Sequence, residues 1–377
     1  MVHIQNQLIP ANAKCERSHE NSQDKRDIML YVKCFLISVL IIFSSSAFSR
    51  QAVKELVLYN WEAYMSEQIL EAFYQETGYK VKQVYYDSDQ LKDELIYTTG
   101  GKGIDLVVGT GNRFVQYIQK GELLAKIPNK HFPNIKHIDP VWLDKYPELE
   151  HFAPPMLWGT LGIIYRKDLV GYNITSWMDL FQPKESLQKK VVMLDDVREA
   201  MGSALLALGY SFNSSKPEHI LAAGKLLKAQ SPYLKSYSYV GITKDSKMLD
   251  DSVHMTLGYN GDAIVLKGFN KNIEYLVPKE GTAIWSDHIA VLEVSENKEM
   301  AFKFINFIND PKRAALLAEE LGMASPNKSA EEHMSQTHLL NPLIYPPKEL
   351  LEKSESYYLL PLKVVRMYNT TFNDAKQ

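Results

Sequence analysis

What most limits the folds open to this chain is an alternation. Short apolar runs and helix-patterned segments follow one another from residue 55 almost to the C-terminus. The run Glu55–Asn60, "ELVLYN", reads as a strand. It gives way to a helical pattern over Glu67–Thr77, apolar at Ile69, Leu70 and Phe73 and stopped by Gly78. A strand over Tyr79–Tyr86 comes next, then a helix opened by Ser88 or Asp89 and closed by Gly100, the short strand "IDLVVG", and the helix-like "RFVQYIQKGEL". A second series starts at Thr160–Arg166, "TLGIIYR". It runs through "KKVVMLDD", helices over Arg198–Leu208 and Pro217–Gln230, the strands "HMTLGYN", "IEYLVPKEG" and "HIAVLEV", and helices over Lys298–Ile308 and Pro311–Leu321. Repeated β-α-β order predicts an α/β fold with largely parallel sheets. No repeat and no low-complexity linker separates the two series, so two lobes joined by more than one chain crossing fit better than independent domains.

With 377 residues, 45% of them hydrophobic and 23% charged, two packed lobes are within reach. A net charge of -3 leaves no footprint for nucleic acid, so any recognition by charge is local. The N-terminus differs. After Met29 comes Lys33, an apolar run from Cys34 to Phe43, serines, and Ala47-Phe48-Ser49 before Arg50. That is the plan of a secretory signal peptide, with an apolar segment of roughly 7–15 residues; a membrane span needs roughly 20. An uncleaved anchor is the alternative. Met29 is a candidate start, because the residues before it are polar and aperiodic. Cys15 and Cys34 both precede the expected cleavage point, so the mature chain has no cysteine for disulfides, thiolate metal sites or nucleophiles.

Enzyme motifs fail one by one. Gly109 and Gly111 follow a strand as in a dinucleotide-binding turn, but Phe114 stands where the third glycine is needed. Neither G-x-x-x-x-G-K-[ST] nor G-x-S-x-G occurs, and His333 and His338 lack the spacing of a zinc-protease helix.

What remains is a recurrent pairing of a carboxylate with a large aromatic at strand ends. "NWEAY" carries Trp61, Glu62 and Tyr64; "LGYNGDAI" carries Tyr259 and Asp262 around a turn at Asn260-Gly261; "IWSDHIAV" carries Trp285 and Asp287 before a strand. "MLDDVREAM" adds Asp195, Asp196 and Glu199 at a helix start, with Asp196 and Glu199 spaced to share one side. Taken alone, each is satisfied by a helix-capping carboxylate or a turn aspartate. Together they sit where an open α/β lobe binds ligands. Carboxylates attract positive charge, and aromatic faces attract cations by ~0.5–2 kcal/mol and bury methylenes at ~0.8 kcal/mol each. A linear aliphatic polyamine uses both.

The segments "LYNWEAY", "IDLVV", "PPMLWGTLGIIY", "TSWMDLF", "LDDVREAM", "YNGDA", "VPKEGTAIWSD", "NKEMAFKFINFINDPKRAA" and "IYPPKEL", in this order, resemble the spermidine/putrescine-binding proteins of bacterial ABC transporters. The resemblance implies a two-lobed periplasmic binding protein fold, each lobe a mostly parallel sheet flanked by helices, with the ligand cleft at the hinge. Its implied organisation is an N-terminal extension and signal peptide over 1–49, one lobe from 50–162 and 285–325, the other from 163–284, and a C-terminal helical segment over 326–377 packed on both. Trp61 and Tyr64 correspond to an aromatic wall, Thr110 to a hydroxyl after the "DLVV" strand, and Asp196 and Glu199 to amine-receiving acids. Tyr259 stands at a position usually held by tryptophan, Asp262 matches an acid of putrescine-type members, and Trp285 and Asp287 grip an amine near the middle. Departures are Glu62 in place of serine or threonine, Ala63 in place of an acid, and Asn112 and Met323 in place of pocket aromatics. The resemblance further implies a monomer with a polyamine ligand, a membrane permease as partner, no cofactor, no catalysis and a periplasmic location; the alternatives are a polyamine sensor that signals to a membrane receptor and an extracytoplasmic enzyme.

Overall fold

The computed structural model describes residues 54–377. The signal peptide, its cleavage point, the alternative start and both cysteines lie outside the described residues. Strand β1 (Lys54–Asn60) leads into helix α1 (Glu67–Thr77), capped by the Ser66 hydroxyl on the Ile69 amide and ended by Gly78 at a φ of 73°. Strand β2 (Tyr79–Tyr85) and helix α2 (Asp89–Thr99) follow, α2 capped by Ser88. Next are β3 (Leu106–Thr110), α3 (Gly111–Lys120), the long β4 (Pro155–Arg166), β5 (Val191–Met193), α4 (Val197–Ala207) and α5 (Pro217–Ala229). Then come β6 (Leu234–Tyr237), β7 (Met255–Tyr259), α6 (Asn260–Phe269), β8 (Ile273–Leu276) and β9 (Ala283–Val291). Helices α7 (Lys298–Ile308) and α8 (Pro311–Leu321), the short β10 (Glu355–Ser356) and α9 (Leu362–Lys376) complete the order.

The ten strands hydrogen-bond in the order β2-β1-β3-β9-β4-β7-β5-β6, with β10 on β9 and β8 on β4. Pairing is parallel within β2-β1-β3 and within β7-β5-β6, while β9 and β4 run antiparallel between them. Two hydrophobic cores flank the first trio, one built on Leu58, Phe73 and Phe304, the other on Val107, Phe114 and Tyr117. Two more flank the second trio, around Trp177, Leu205 and Phe372 and around Ile164, Val192 and Leu266. Strand β4 joins the halves: Leu157–Thr160 pair with β9, and Leu161–Tyr165 pair with β7.

Two local expectations are corrected. Asn260-Gly261 is no turn but the first step of α6, because the Asn260 side chain is engaged at long range, its Oδ1 accepting from the Thr160 amide at 3.1 Å and its Nδ2 donating to Leu343 O at 3.0 Å. Trp285 and Asp287 do not precede a strand; they lie inside β9, which is buried along almost its whole length.

Candidate functional site

Two buried carboxylates, Asp287 and Glu199, and a half-buried one, Asp262, share one construction. Asp287, in mid-β9, accepts a hydrogen bond from the Tyr64 hydroxyl at 2.5 Å through Oδ2. Glu199, in the first turn of α4, accepts from Tyr259 at 3.0 Å through Oε1. Asp262, in the first turn of α6, accepts from Tyr239 at 2.9 Å through Oδ1. In each case the second oxygen, Asp287 Oδ1, Glu199 Oε2 or Asp262 Oδ2, is buried with no hydrogen-bond partner among the described residues. A buried polar atom left unpaired costs roughly 1–3 kcal/mol, more when charged, so three copies of the arrangement point to function rather than to stability.

The electrostatics follow from the burial. Desolvation pushes the Asp287 carboxyl up to about 6 against the opposing Tyr64 hydrogen bond. Desolvation likewise pushes Asp262 up to about 6. Glu199 is held well above the ordinary carboxylate range by burial first and by the neighbouring Asp196 charge second. Tyr64 and Tyr259 are pushed well above their usual value, chiefly by burial, and so stay protonated donors. A cation brought to the free oxygens supplies the charge these acids lack.

The remaining expected residues fall around this frame. Thr110 ends β3 directly opposite Asp287 and makes no side-chain cap on α3, so its hydroxyl is not used by the helix. Asp196 is exposed and does act as a cap, accepting from the Arg198 amide at 2.7 Å and the Glu199 amide at 3.3 Å, while Glu199 turns inward. Trp285 sits against Gly159, where an added Cβ would lie 2.3 Å from the indole, and its Nε1 is buried with no hydrogen-bond partner among the described residues. Trp61 packs on Tyr86 with ring centroids 4.3 Å apart. Glu62 lies on an exposed turn with no side-chain hydrogen bond among the described residues, and Ala63 beside it adopts a φ of 55°. Asp195 is exposed and pairs with Lys376, apart from the buried acids.

Four contributors escaped the sequence reading. Tyr239 and Tyr86 lie in segments with no neighbouring motif; Tyr86 bonds Val108 O at 2.9 Å and backs Trp61. The Tyr357 hydroxyl is buried beside Glu199 with no hydrogen-bond partner among the described residues. Asn112, seen only as a departure from an aromatic, presents two residues after Thr110 a buried Oδ1 with no hydrogen-bond partner among the described residues. Along β4, Asp287 faces Leu157 and Tyr259 faces Leu161, a separation of about 13 Å at ~3.3 Å per residue. The acids are therefore spread along an axis rather than gathered around a point, which suits an elongated cation and not a metal ion.

Comparison with known proteins gives a consistent result. Residues 68–339 match the family model of the bacterial extracellular solute-binding proteins. Over 302 residues the chain is 31% identical to the spermidine/putrescine-binding periplasmic protein of Salmonella typhimurium, covering 80% of this chain and 85% of that one. It is 29% identical over 316 residues to a norspermidine sensor of Vibrio cholerae, covering 83% and 86% of the two chains. The solved structure of the spermidine/putrescine ABC transporter substrate-binding protein PotD from Streptococcus pneumoniae aligns with a TM-score of 0.78 at 27% identity, over 86% of this chain and 98% of that one.

Proposed function

The chain belongs to the bacterial extracellular solute-binding proteins, and from that premise we propose that it captures a linear polyamine of the putrescine or spermidine class in the periplasm and delivers it to the membrane permease of an ABC transporter. The observation that carries this reading is the set of three tyrosine-held carboxylates, each with one buried oxygen free to receive an ammonium group. Charge-assisted bonds to those oxygens are about twice as strong as neutral ones. Trp61, Tyr64, Tyr259 and Trp285 offer aromatic faces for the methylenes and for cation–π contact, and Thr110 offers a hydroxyl. Asp196 adds negative charge beside Glu199, and Glu62 adds it at the exposed rim. The protein acts as a monomer without cofactor and performs no chemistry of its own.

The lobes we propose are residues 50–162 with 285–325, and 163–284, with 326–377 packed on them; β4 and β9 cross between the two, and hinge closure around the amine makes the shape a permease reads. Likeness to a norspermidine sensor supports a second reading, in which the closed form signals to a membrane receptor instead. Capture of the amine-loaded protein by one or the other membrane partner separates the two. The test of binding itself is a thermal-shift screen against putrescine, cadaverine, agmatine, spermidine and norspermidine. A true ligand at a hundredfold excess over Kd adds about 2.7 kcal/mol of apparent stability. Absence of any shift with every amine contradicts the proposal.

A further inference from the structure

Behind the aromatic wall the protein carries an ammonium group of its own. Lys92, on α2, is fully buried. Its Nζ bonds Asp89, lies 4.0 Å from Asp93 Oδ1, and stands 5.2 Å from the centre of the Tyr86 ring and 5.9 Å from that of Phe114. An ammonium has three donors, yet Asp89 is its only hydrogen-bond acceptor among the described residues. Space for it is made by Gly109, where an added Cβ would meet Nζ at 2.6 Å. That explains the glycine which had the look of a nucleotide-binding turn: it admits a lysine, not a phosphate. Gly109 immediately precedes Thr110, which faces Asp287 across the strands, and Tyr86 lies between Lys92 and Trp61. Asp93 is engaged elsewhere, by Arg113 at 3.1 Å and by the Tyr117 hydroxyl at 2.5 Å. The charge of Lys92 is thus matched mainly by Asp89, whose side chain is 23% exposed.

We propose that Lys92 is a specificity-determining residue: a resident cation that neutralises Asp89 and closes the β1–β3 end of the site to a further ammonium, so that a ligand anchored at Asp287 extends only toward Glu199 and Asp262. This rests on the polyamine reading. A buried like charge rejects an additional amine through repulsion and desolvation, whereas its removal leaves Asp89 as a free acceptor. The chemistry selected against is that of longer polyamines with an ammonium reaching past Asp287.

The test is calorimetric titration of the full chain and its variants with putrescine, spermidine and spermine. Lys92→Met is expected to raise affinity for spermine relative to putrescine tenfold or more, and Lys92→Met/Asp89→Asn to abolish that gain. Asp89→Asn alone, which keeps the fold-bearing lysine and unmasks its charge, is expected to weaken binding of every amine about tenfold. A folded Lys92→Met protein with an unchanged spermine-to-putrescine ratio overturns the proposal. If Lys92→Met does not fold, the proposal is overturned by an Asp89→Asn protein that binds amines as the wild type does. Failure of the wild type to bind any amine overturns the underlying reading as well, and is seen before any variant is compared.

Discussion

Asp287 concentrates the residue-scale argument: it is 5% exposed, it receives one tyrosine hydroxyl, and it keeps one oxygen unpaired. Removing a buried partner of a bound charge costs roughly 2–5 kcal/mol. Asp287→Asn is therefore expected to weaken amine binding by a hundredfold or more in a calorimetric titration, whereas Asp195→Asn, at an exposed pair with Lys376, changes it by less than threefold. Equal effects would contradict the site. Glu62 is a lesser case. It is exposed, and exposed ion pairs contribute about 0–1 kcal/mol, so Glu62→Thr is expected to lower affinity at most about fivefold and only at low salt. Asp262 and Asp287 were legible in the sequence because each has a large aromatic within three residues, and Glu199 because it stands at an acidic helix start. Which tyrosine each acid would pair with was not. Tyr64 meets Asp287 from 223 residues away and Tyr259 meets Glu199 from 60, and no local pattern encodes a contact of that range.

At the scale of elements, capping chemistry sets the ends of α1 and α2, with only the choice between Ser88 and Asp89 left open in the sequence: Ser66 and Ser88 hold the first turns, and Gly78 and Gly100 adopt the left-handed conformation that ends them. Strand β9 and helix α6 were misplaced for a common reason. Both carry polar residues that local rules assign to turns, and both place those residues in tertiary contacts instead: Asn260 ties α6 to β4, and Trp285 and Asp287 build the site from mid-strand. Gly159 on β4 records how closely these elements meet, because a Cβ there would lie 2.3 Å from both Trp285 and Asn260 Oδ1. Overpacking of this kind costs ~1–3 kcal/mol. Gly159→Ala should lower the denaturation midpoint accordingly and, by displacing Trp285, weaken amine binding at least tenfold. A variant with wild-type stability and affinity would show that the contact between β4 and β9 does not shape the site.

For the whole molecule, the buried acids couple stability, pH and ligand. Asp287 and Asp262 are raised from 3.8 to about 6. A raised carboxyl keeps its proton in the folded chain after the unfolded chain has lost it, so its contribution to stability is full below about pH 4 and is lost as pH rises through about 6. For a shift of this size the loss is about 3 kcal/mol per group. The ligand-free protein is thus expected to give up this stability between about pH 4 and 6, and the increment added by an amine to grow over the same interval. A thermal-melt series with and without amine at pH 5 and 7.5 checks this; an increment that shrinks with rising pH would contradict it. The most direct test of the central claim, that buried carboxylates receive the ammonium groups, is calorimetry of amine binding near pH 6 in buffers of different ionisation enthalpy. Binding is predicted to release protons, about half a proton each from Asp287 and Asp262, and to tighten as pH rises. Binding with proton uptake, or with no proton exchange at that pH, would contradict it.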